Sequence, residues 1–244
     1  LVHAGKMAVL GQLAASITHE LTQPLGGIRT LAGNAAEFMR RGNHAAAQDN
    51  LSIVARLVEQ MARIIDPLKS FSRKSSASPG ATDVGRVVEQ ALFLYQLRVR
   101  HDQVRVDNRC APGQWTAWCD ANRLEQVLVN LVGNALDAMR EADPRVLTLS
   151  AEHRAVAGVP MVALTVRDSG KGLSETDQQR LFEPFYTTKP SGVGLGLGLA
   201  ICRDLAAEFG GDLQAHNHPE GGACFVLTVP VGPASDTAKD TPSR

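Results

Sequence analysis

The stretch RLEQVLVNLVGNALDAM, residues 123–139, decides how this chain is read. It lies in a strongly periodic segment, Asn122 to about Arg140, that predicts a helix. Asn130 and Asn134 stand four apart, so both project from one helical face, and Asp137 lies near that face. An asparagine carbonyl is a hard oxygen ligand of the kind Mg²⁺ takes. Alone, the pair reads equally as two helix asparagines bonding solvent or backbone.

Three segments downstream give it context. In VRDSGKGL (166–173) apolar strand residues run into Asp168, and Gly170 and Gly172 then let the backbone turn close to a ligand. A carboxylate there can accept a hydrogen bond from an exocyclic amine such as adenine's, or make a simple Asx turn. LFEPFYTTKPSGVG (181–194) is an aromatic cluster followed by a polar Gly- and Pro-containing loop, a composition that suits a lid; Lys189 is placed to reach a terminal phosphate. GVGLGLGLAICRDLAAEFGG (192–211) leads Gly192, Gly194, Gly196 and Gly198 into a helix, whose N-terminus offers unhindered N–H donors and a dipole that favours phosphate. It is neither a dinucleotide fingerprint nor a P-loop, because Leu199 replaces the third glycine and no GK[ST] follows.

Elsewhere the pattern divides the chain. Residues 7 to about 40 and about 45 to 71 carry apolar residues at threes and fours, separated by RRGNHA (40–45), where Gly42 can cap one helix and Asn43 start the next. Two helices of about 30 residues make an antiparallel hairpin about 45 Å long. A lone hairpin cannot bury both stripes, and pairing two into a four-helix bundle can. RKSSASPGATD (73–83) reads as a linker. Beyond it, Val84 to Val99 predicts a helix, and 103–109, 114–120, 145–154, 161–170 and 223–231 read as strands of a mixed, helix-covered sheet. The reading is of two domains, an all-α helical hairpin (1–74) and an α+β sandwich (83–232), with a linker at 75–82 and a disordered tail at 233–244.

Lysines and arginines (25) balance aspartates and glutamates (25), so no charge signature for nucleic acid appears. No run approaches the roughly 18 apolar residues of a membrane span. LVHAGKMAVLG at the start has neither methionine nor an apolar signal region, so the chain reads as starting inside a longer protein. Cys110, Cys119, Cys202 and Cys224 form no CxxC pair, which favours reduced thiols. His216 and His218 lack a convincing third metal ligand, and Trp115 and Trp118 read as packing residues.

The order and spacing of these four segments resemble the sensor histidine kinases of two-component systems, whose ATP-binding domain is shared with gyrase, Hsp90 and MutL. The resemblance covers residues 7 to about 230. It implies an N box at Asn130–Asp137, a G1 box at Asp168–Gly172, an F box at Phe182–Phe185 and a G2 box at Gly194–Gly198. ATP would then be bound by Asn130, Asn134, Asp137, Asp168, Gly170, Gly172, Lys189, Gly194, Leu195, Gly196, Leu197 and Gly198, with Asn134 the main Mg²⁺ ligand and Asp168 reading the adenine amine. Hydrolysing members of the superfamily carry a glutamate four residues before the Mg²⁺ asparagine. Here that residue is Asn130, and an amide takes no proton near neutral pH. The nucleophile must therefore come from elsewhere.

SITHELTQPLGG (16–27) supplies one. From the residues alone, His19 is a surface residue, a metal ligand, a base or a nucleophile. The resemblance identifies an H box, with His19 the phospho-acceptor and Glu20 the general base that orients the ring or takes its proton. Gln23, one turn on, is a candidate for positioning water in dephosphorylation of a regulator, and Pro24 a candidate bend. The expected partners are a second copy of the chain and a separate response regulator. HEL-x-QPL and GLGLGLAI look most like the C4-dicarboxylate sensor group, which points to a sigma-54-dependent regulator, although Thr22 departs from the group's usual asparagine. The implied location is the cytoplasmic portion of a bacterial inner-membrane sensor, joined to the membrane only through segments outside this chain. Two other readings compete: a degenerate nucleotide-binding scaffold, and a serine kinase of the mitochondrial dehydrogenase-kinase type, against which the HEL-x-QP hairpin argues.

Overall fold

The computed structural model describes residues 2–72, 78–189 and 196–233; the backbone alone is described for 2–17, 19–20, 59, 62–64 and 66–72. The chain divides into two compact units. One comprises residues 1–75 and 185–197, the other 76–184 and 198–244.

The first unit is built on two helices, α1 (Val2–Arg40) and α2 (His44–Ser72), which pack on each other. RRGNHA turns the chain as its residue types demand. Gly42 adopts φ +73°, its N–H donates to the Met39 carbonyl (3.1 Å), and the Asn43 N–H donates to that of Phe38 (2.9 Å). These are the paired bonds of a Schellman motif, which needs a left-handed residue at Gly42. The Asn43 side chain then caps α2 by accepting from the Ala46 N–H at 3.2 Å. Ala35 and Ala47 are buried, and a Cβ on Gly27 would stand 3.1 Å from Leu57 Cδ1. Small residues let the helices approach. Pro24 is buried, and α1 continues through it.

The second unit carries α3 (Val84–Leu94), α4 (Gln96–His101), α5 (Ala121–Ala138), α6 (Glu175–Arg180) and α7 (Gly198–Glu208). Its strands are β1 (Gly80–Asp83), β2 (Arg105–Asn108), β3 (Thr116–Cys119), β4 (Val146–Val156), β5 (Val159–Asp168), β6 (Asp212–Asn217) and β7 (Ala223–Pro230). Five strands form a mixed sheet in the order β2-β4-β5-β7-β6, with β2 parallel to β4 and the other pairs antiparallel; β1 and β3 form a separate antiparallel pair. Helix α5 packs on β5 and α3, and α7 on β6, β7 and α5. Leu124, Val127, Leu128, Leu131, Val132, Ala135 and Leu136 keep helical spacing and are all buried. They meet a sheet whose Leu147, Leu149, Leu164 and Leu227 are also buried.

Four elements differ from the sequence expectation. The helix expected over Val84–Val99 breaks at Tyr95 (φ −102°, ψ 5°) into α3 and α4. Residues 80–83, read as linker by composition, form β1, because Thr82 is buried and its hydroxyl donates to the Cys119 carbonyl at 2.8 Å. Strand β6 escaped notice because only Leu213 along it is buried, leaving no alternation to read. Helix α6 has no buried residue; it is held by a capping box between Ser174 and Asp177. The expected linker residues 75–77 and tail 234–244 lie outside the described residues.

Asp120 caps α5, its carboxylate accepting from the Asn122 (3.0 Å) and Arg123 (3.2 Å) N–H groups and from Ser78 N–H (3.2 Å). Asp120→Ala is expected to lower the unfolding free energy of the protein by about 1–2 kcal/mol. The check is urea denaturation, with a shifted midpoint and unchanged slope.

Candidate nucleotide site

Three of the four motif segments converge within the second unit. Helix α5 supplies Asn130, Asn134 and Asp137. The end of β5 supplies Asp168. Gly198 opens α7, and a Cβ there would stand 2.7 Å from Asn130 Oδ1, so the N-box helix and the start of α7 are in direct contact. Asn130 turns its amide N–H back to the Gln126 carbonyl (3.0 Å), leaving its oxygen toward Gly198. A Cβ on Gly170 would come within 2.6 Å of the Ala138 carbonyl, which places the G1 turn against the end of α5. Glycine is required at each contact because backbone or amide atoms occupy the side-chain position.

Asp168 is 2% exposed. Its Oδ1 accepts from the N–H groups of Gly170 (2.8 Å) and Ala223 (3.4 Å), and neither bond involves Oδ2. The Asx turn and the ligand-reading carboxylate are thus compatible: one oxygen fixes the turn and the other is left for a donor. Burial pushes the carboxyl above its ordinary pKa, opposed by those two backbone bonds and the Arg167 charge. Gly222, missed by sequence reasoning, is part of this support. At φ +83°, its Cβ would fall 1.9 Å from the Asp168 carbonyl oxygen. Asn217 was missed too, since its partner Leu173 lies far away in sequence. Its amide brackets Leu173, accepting from the N–H (2.7 Å) and donating to the carbonyl (2.8 Å), beside Gly172 at φ +74°.

The remaining candidates are placed as follows. Asp137 Oδ1 accepts from Arg98 Nη2 (2.6 Å) and Arg140 Nη2 (3.1 Å). Leu197 is buried, so its side chain serves packing. Gly196 (φ +65°) accepts at its carbonyl from the Phe185 N–H (3.0 Å), and a Cβ there would meet the Tyr186 carbonyl at 2.5 Å. That bond closes the base of the loop proposed as lid. The Lys189 N–H donates to Thr187 Oγ1 at 3.1 Å. Phe182 lies under the Arg203 guanidinium, 5.2 Å from ring centre to Cζ. Gly194 and Leu195 lie outside the described residues. His19 and Glu20 lie on α1, with side chains outside the described ones, and Gln23 is exposed one turn further.

These features fit a nucleotide with Mg²⁺. A buried carboxylate offers an oxygen not taken by the turn, glycine cradles leave no room for side chains, neutral asparagine oxygens supply hard donors, and α7 opens with no acidic residue in its first turn. All four cysteines are buried; burial pushes Cys110 and Cys119 up to about 11 and raises Cys202 and Cys224. They remain thiols at neutral pH. Among the described residues, no group of His, Cys, Asp and Glu is arranged to hold a metal.

Comparison with known proteins identifies two domains along the chain. The His Kinase A (phospho-acceptor) domain matches residues 9–77, and the Histidine kinase-, DNA gyrase B-, and HSP90-like ATPase domain matches 119–233. The chain belongs to the sensor histidine kinases, carrying their phospho-acceptor domain followed by their ATP-binding domain. It is 40% identical to the C4-dicarboxylate transport sensor protein DctB of Pseudomonas aeruginosa, over 95% of this chain and 37% of that protein. To DctB of Rhizobium meliloti it is 39% identical, over 91% of this chain and 35% of that protein. The chain thus spans little more than a third of the length of these two relatives. Among solved structures, full-length ShkA in complex with AMPPNP is similar with a TM-score of 0.57 at 26% identity, covering 90% of this chain and 45% of that one.

The raised pKa of Asp168 has a consequence for stability. The folded chain binds that proton more tightly than the unfolded chain. Its stabilising effect is therefore full below the ordinary carboxyl pKa and lost as pH rises through the raised one. Asp168→Asn, which keeps the acceptor for Gly170 and Ala223, is expected to be more stable than the parent at pH 7. That advantage should shrink toward pH 4, as read by thermal melts across the range.

Proposed function

We propose that this core transfers the γ-phosphoryl group of ATP to His19 and then to an aspartate of a separate response regulator. The observation that carries the reading is the site around α5: a nucleotide cradle in which the position of the hydrolytic base is taken by Asn130. An amide neither activates water nor accepts its proton, so the site suits holding ATP for an external nucleophile.

A neutral ring nitrogen of His19 attacks the γ-phosphorus. The P–N bond forms as the bond to the bridging oxygen breaks, and ADP leaves with that electron pair. Glu20 takes the proton from the other ring nitrogen. Asp168 accepts from the adenine amine. The N–H groups at the start of α7, with Gly194–Gly198 and Lys189, bind the phosphates. Asn134, with Asn130 beside it, would hold Mg²⁺, which supplies charge neutralisation when bound. The labile P–N bond suits onward transfer, and Gln23, exposed beside His19 on α1, is the candidate for positioning water in the reverse, dephosphorylating reaction.

The core acts as a homodimer through the hairpin. Leu25 and Met39 on α1 are 56% and 52% exposed and stand two heptads apart; Leu51 and Val58 on α2 are 53% and 52% exposed and stand one heptad apart. Large apolar residues left outward at heptad spacing are what a four-helix bundle buries. The likeness to DctB sensors supports a sigma-54-dependent regulator as partner and a place on the cytoplasmic side of a bacterial inner membrane. No helix among the described residues is long and apolar enough to cross a membrane.

The test is incubation with γ-labelled ATP and Mg²⁺. The parent should take up acid-labile, base-stable label, and both His19→Gln and Asn134→Ala should lose it while remaining folded by circular dichroism. ATP binding without labelling in the parent would favour a signalling scaffold, and label persisting in His19→Gln would move the acceptor.

A further inference from the structure

The flank of α5 beside the asparagines is held by Tyr95 and α4 through contacts that follow from the break at Tyr95. The Tyr95 hydroxyl donates to the Val129 carbonyl at 3.1 Å. Burial pushes this phenol above its ordinary pKa, so it stays protonated and donating. The ring lies so close to α5 that a Cβ on Gly133 would stand 2.5 Å from the hydroxyl oxygen. One turn further along α5, Arg98 donates through Nη2 to Asp137 Oδ1 (2.6 Å) and through Nε to Asp102 Oδ2 (3.2 Å). Arg98 and Asp137 are only 30% and 21% exposed. Arg145 ties the same ends together, donating to the Asp102 (2.7 Å) and Arg140 (2.7 Å) carbonyls.

At about 100° per residue, Gly133 and Asp137 lie to the same side of Asn134, so contacts on that side fix the rotation of the asparagine stripe. We infer that Tyr95 and Arg98 are positioning residues that set the rotation and register of α5, and that Asp137 is the anchor of Arg98 rather than a nucleotide ligand. The inference rests on the reading of Asn134 as the Mg²⁺ ligand. It explains Gly133, a costly residue in a helix interior, and the interruption of what would otherwise be one helix from Val84 to His101. Groups that orient ligands from behind typically contribute ten- to a hundredfold in metal affinity.

Calorimetry on the whole chain separates this role from simple stabilisation. ADP is titrated with and without Mg²⁺ into the parent, Asn134→Ala, Tyr95→Phe, Arg98→Gln, and the exchanged pair Arg98→Asp with Asp137→Arg. Arg98→Gln is expected to lose about tenfold of the Mg²⁺-dependent gain in affinity while binding metal-free ADP as the parent does. Tyr95→Phe should lose a smaller part, and the exchanged pair should recover most of it. A general loosening would weaken metal-free binding too, and that result overturns the inference. So does a full Mg²⁺ gain in Arg98→Gln when Asn134→Ala has lost it, in which case the nucleotide reading itself stands. A full Mg²⁺ gain in Asn134→Ala overturns both. An Asp137→Asn variant that weakens metal-free ADP would return Asp137 to the nucleotide and refute its role as anchor.

Discussion

Helix α5 has to satisfy two incompatible demands on one cylinder. One face must be apolar enough to close the core of the second unit, and it is: Leu124, Val127, Leu128, Leu131, Val132 and Leu136 are all buried. Another face must hold Asn130 at a fixed angle to the start of α7 and bring the end of the helix against the turn after β5. A helix rotates as one body, so the second demand can be met only if the first is met in the correct register. Packing against β5 sets that register coarsely, since leucines tolerate small rotations in ways directed bonds do not. The contacts from Gly170, Gly198, Tyr95 and Arg98 narrow it. Each is a close approach to backbone or a charge-assisted bond, where a few tenths of an ångström matter.

The buried carboxylate of Asp168 shows the same tension in energetic form. Putting a charge where 2% of the residue is exposed works against the fold. Two backbone N–H donors offset part of that cost, and the turn that aims them requires a glycine at 170 and another at 222. A neutral asparagine would satisfy those donors equally well and avoid the charge. The charge thus adds nothing to the fold that an asparagine would lack, and stability held below its optimum at one buried residue marks Asp168 as a functional candidate.

How much of this was legible in the sequence depended on whether a residue's role is local. The periodicity of α1, α2 and α5 and the capping signals at Gly42 and Asn43 follow from neighbours a few residues away, and they could be read. The candidate site residues could be singled out because Asn130, Asn134, Asp168 and the glycine run fall in a recognisable order. The supports were not. Tyr95 and Gly133 are 38 positions apart, Asn217 and Leu173 are 44 apart, and Gly222 and Asp168 are 54 apart. A tyrosine on an apolar helix and a glycine within another carry no mark of their meeting until the fold brings them together. Strand β6 and helix α6 were lost for a different reason. Both are surface elements held by backbone pairing or a capping box, and the hydrophobic pattern says nothing about either. The Ser174-x-x-Asp177 spacing was the one available signal for α6.

The hairpin places its own constraint on the chemistry. Pro24 takes a backbone donor out of α1 one turn after His19, so the carbonyl of Glu20 has no amide partner four residues on. Pro24 is buried and the helix continues, so the residue is accommodated by packing rather than by a break. Thr22 turns its hydroxyl to the Thr18 carbonyl at 2.7 Å in the same turn, a second local competitor for backbone bonding. Pro24 and Thr22 thus both act on backbone bonding within about one turn of His19, in a helix that stays continuous because its neighbours pack around the proline.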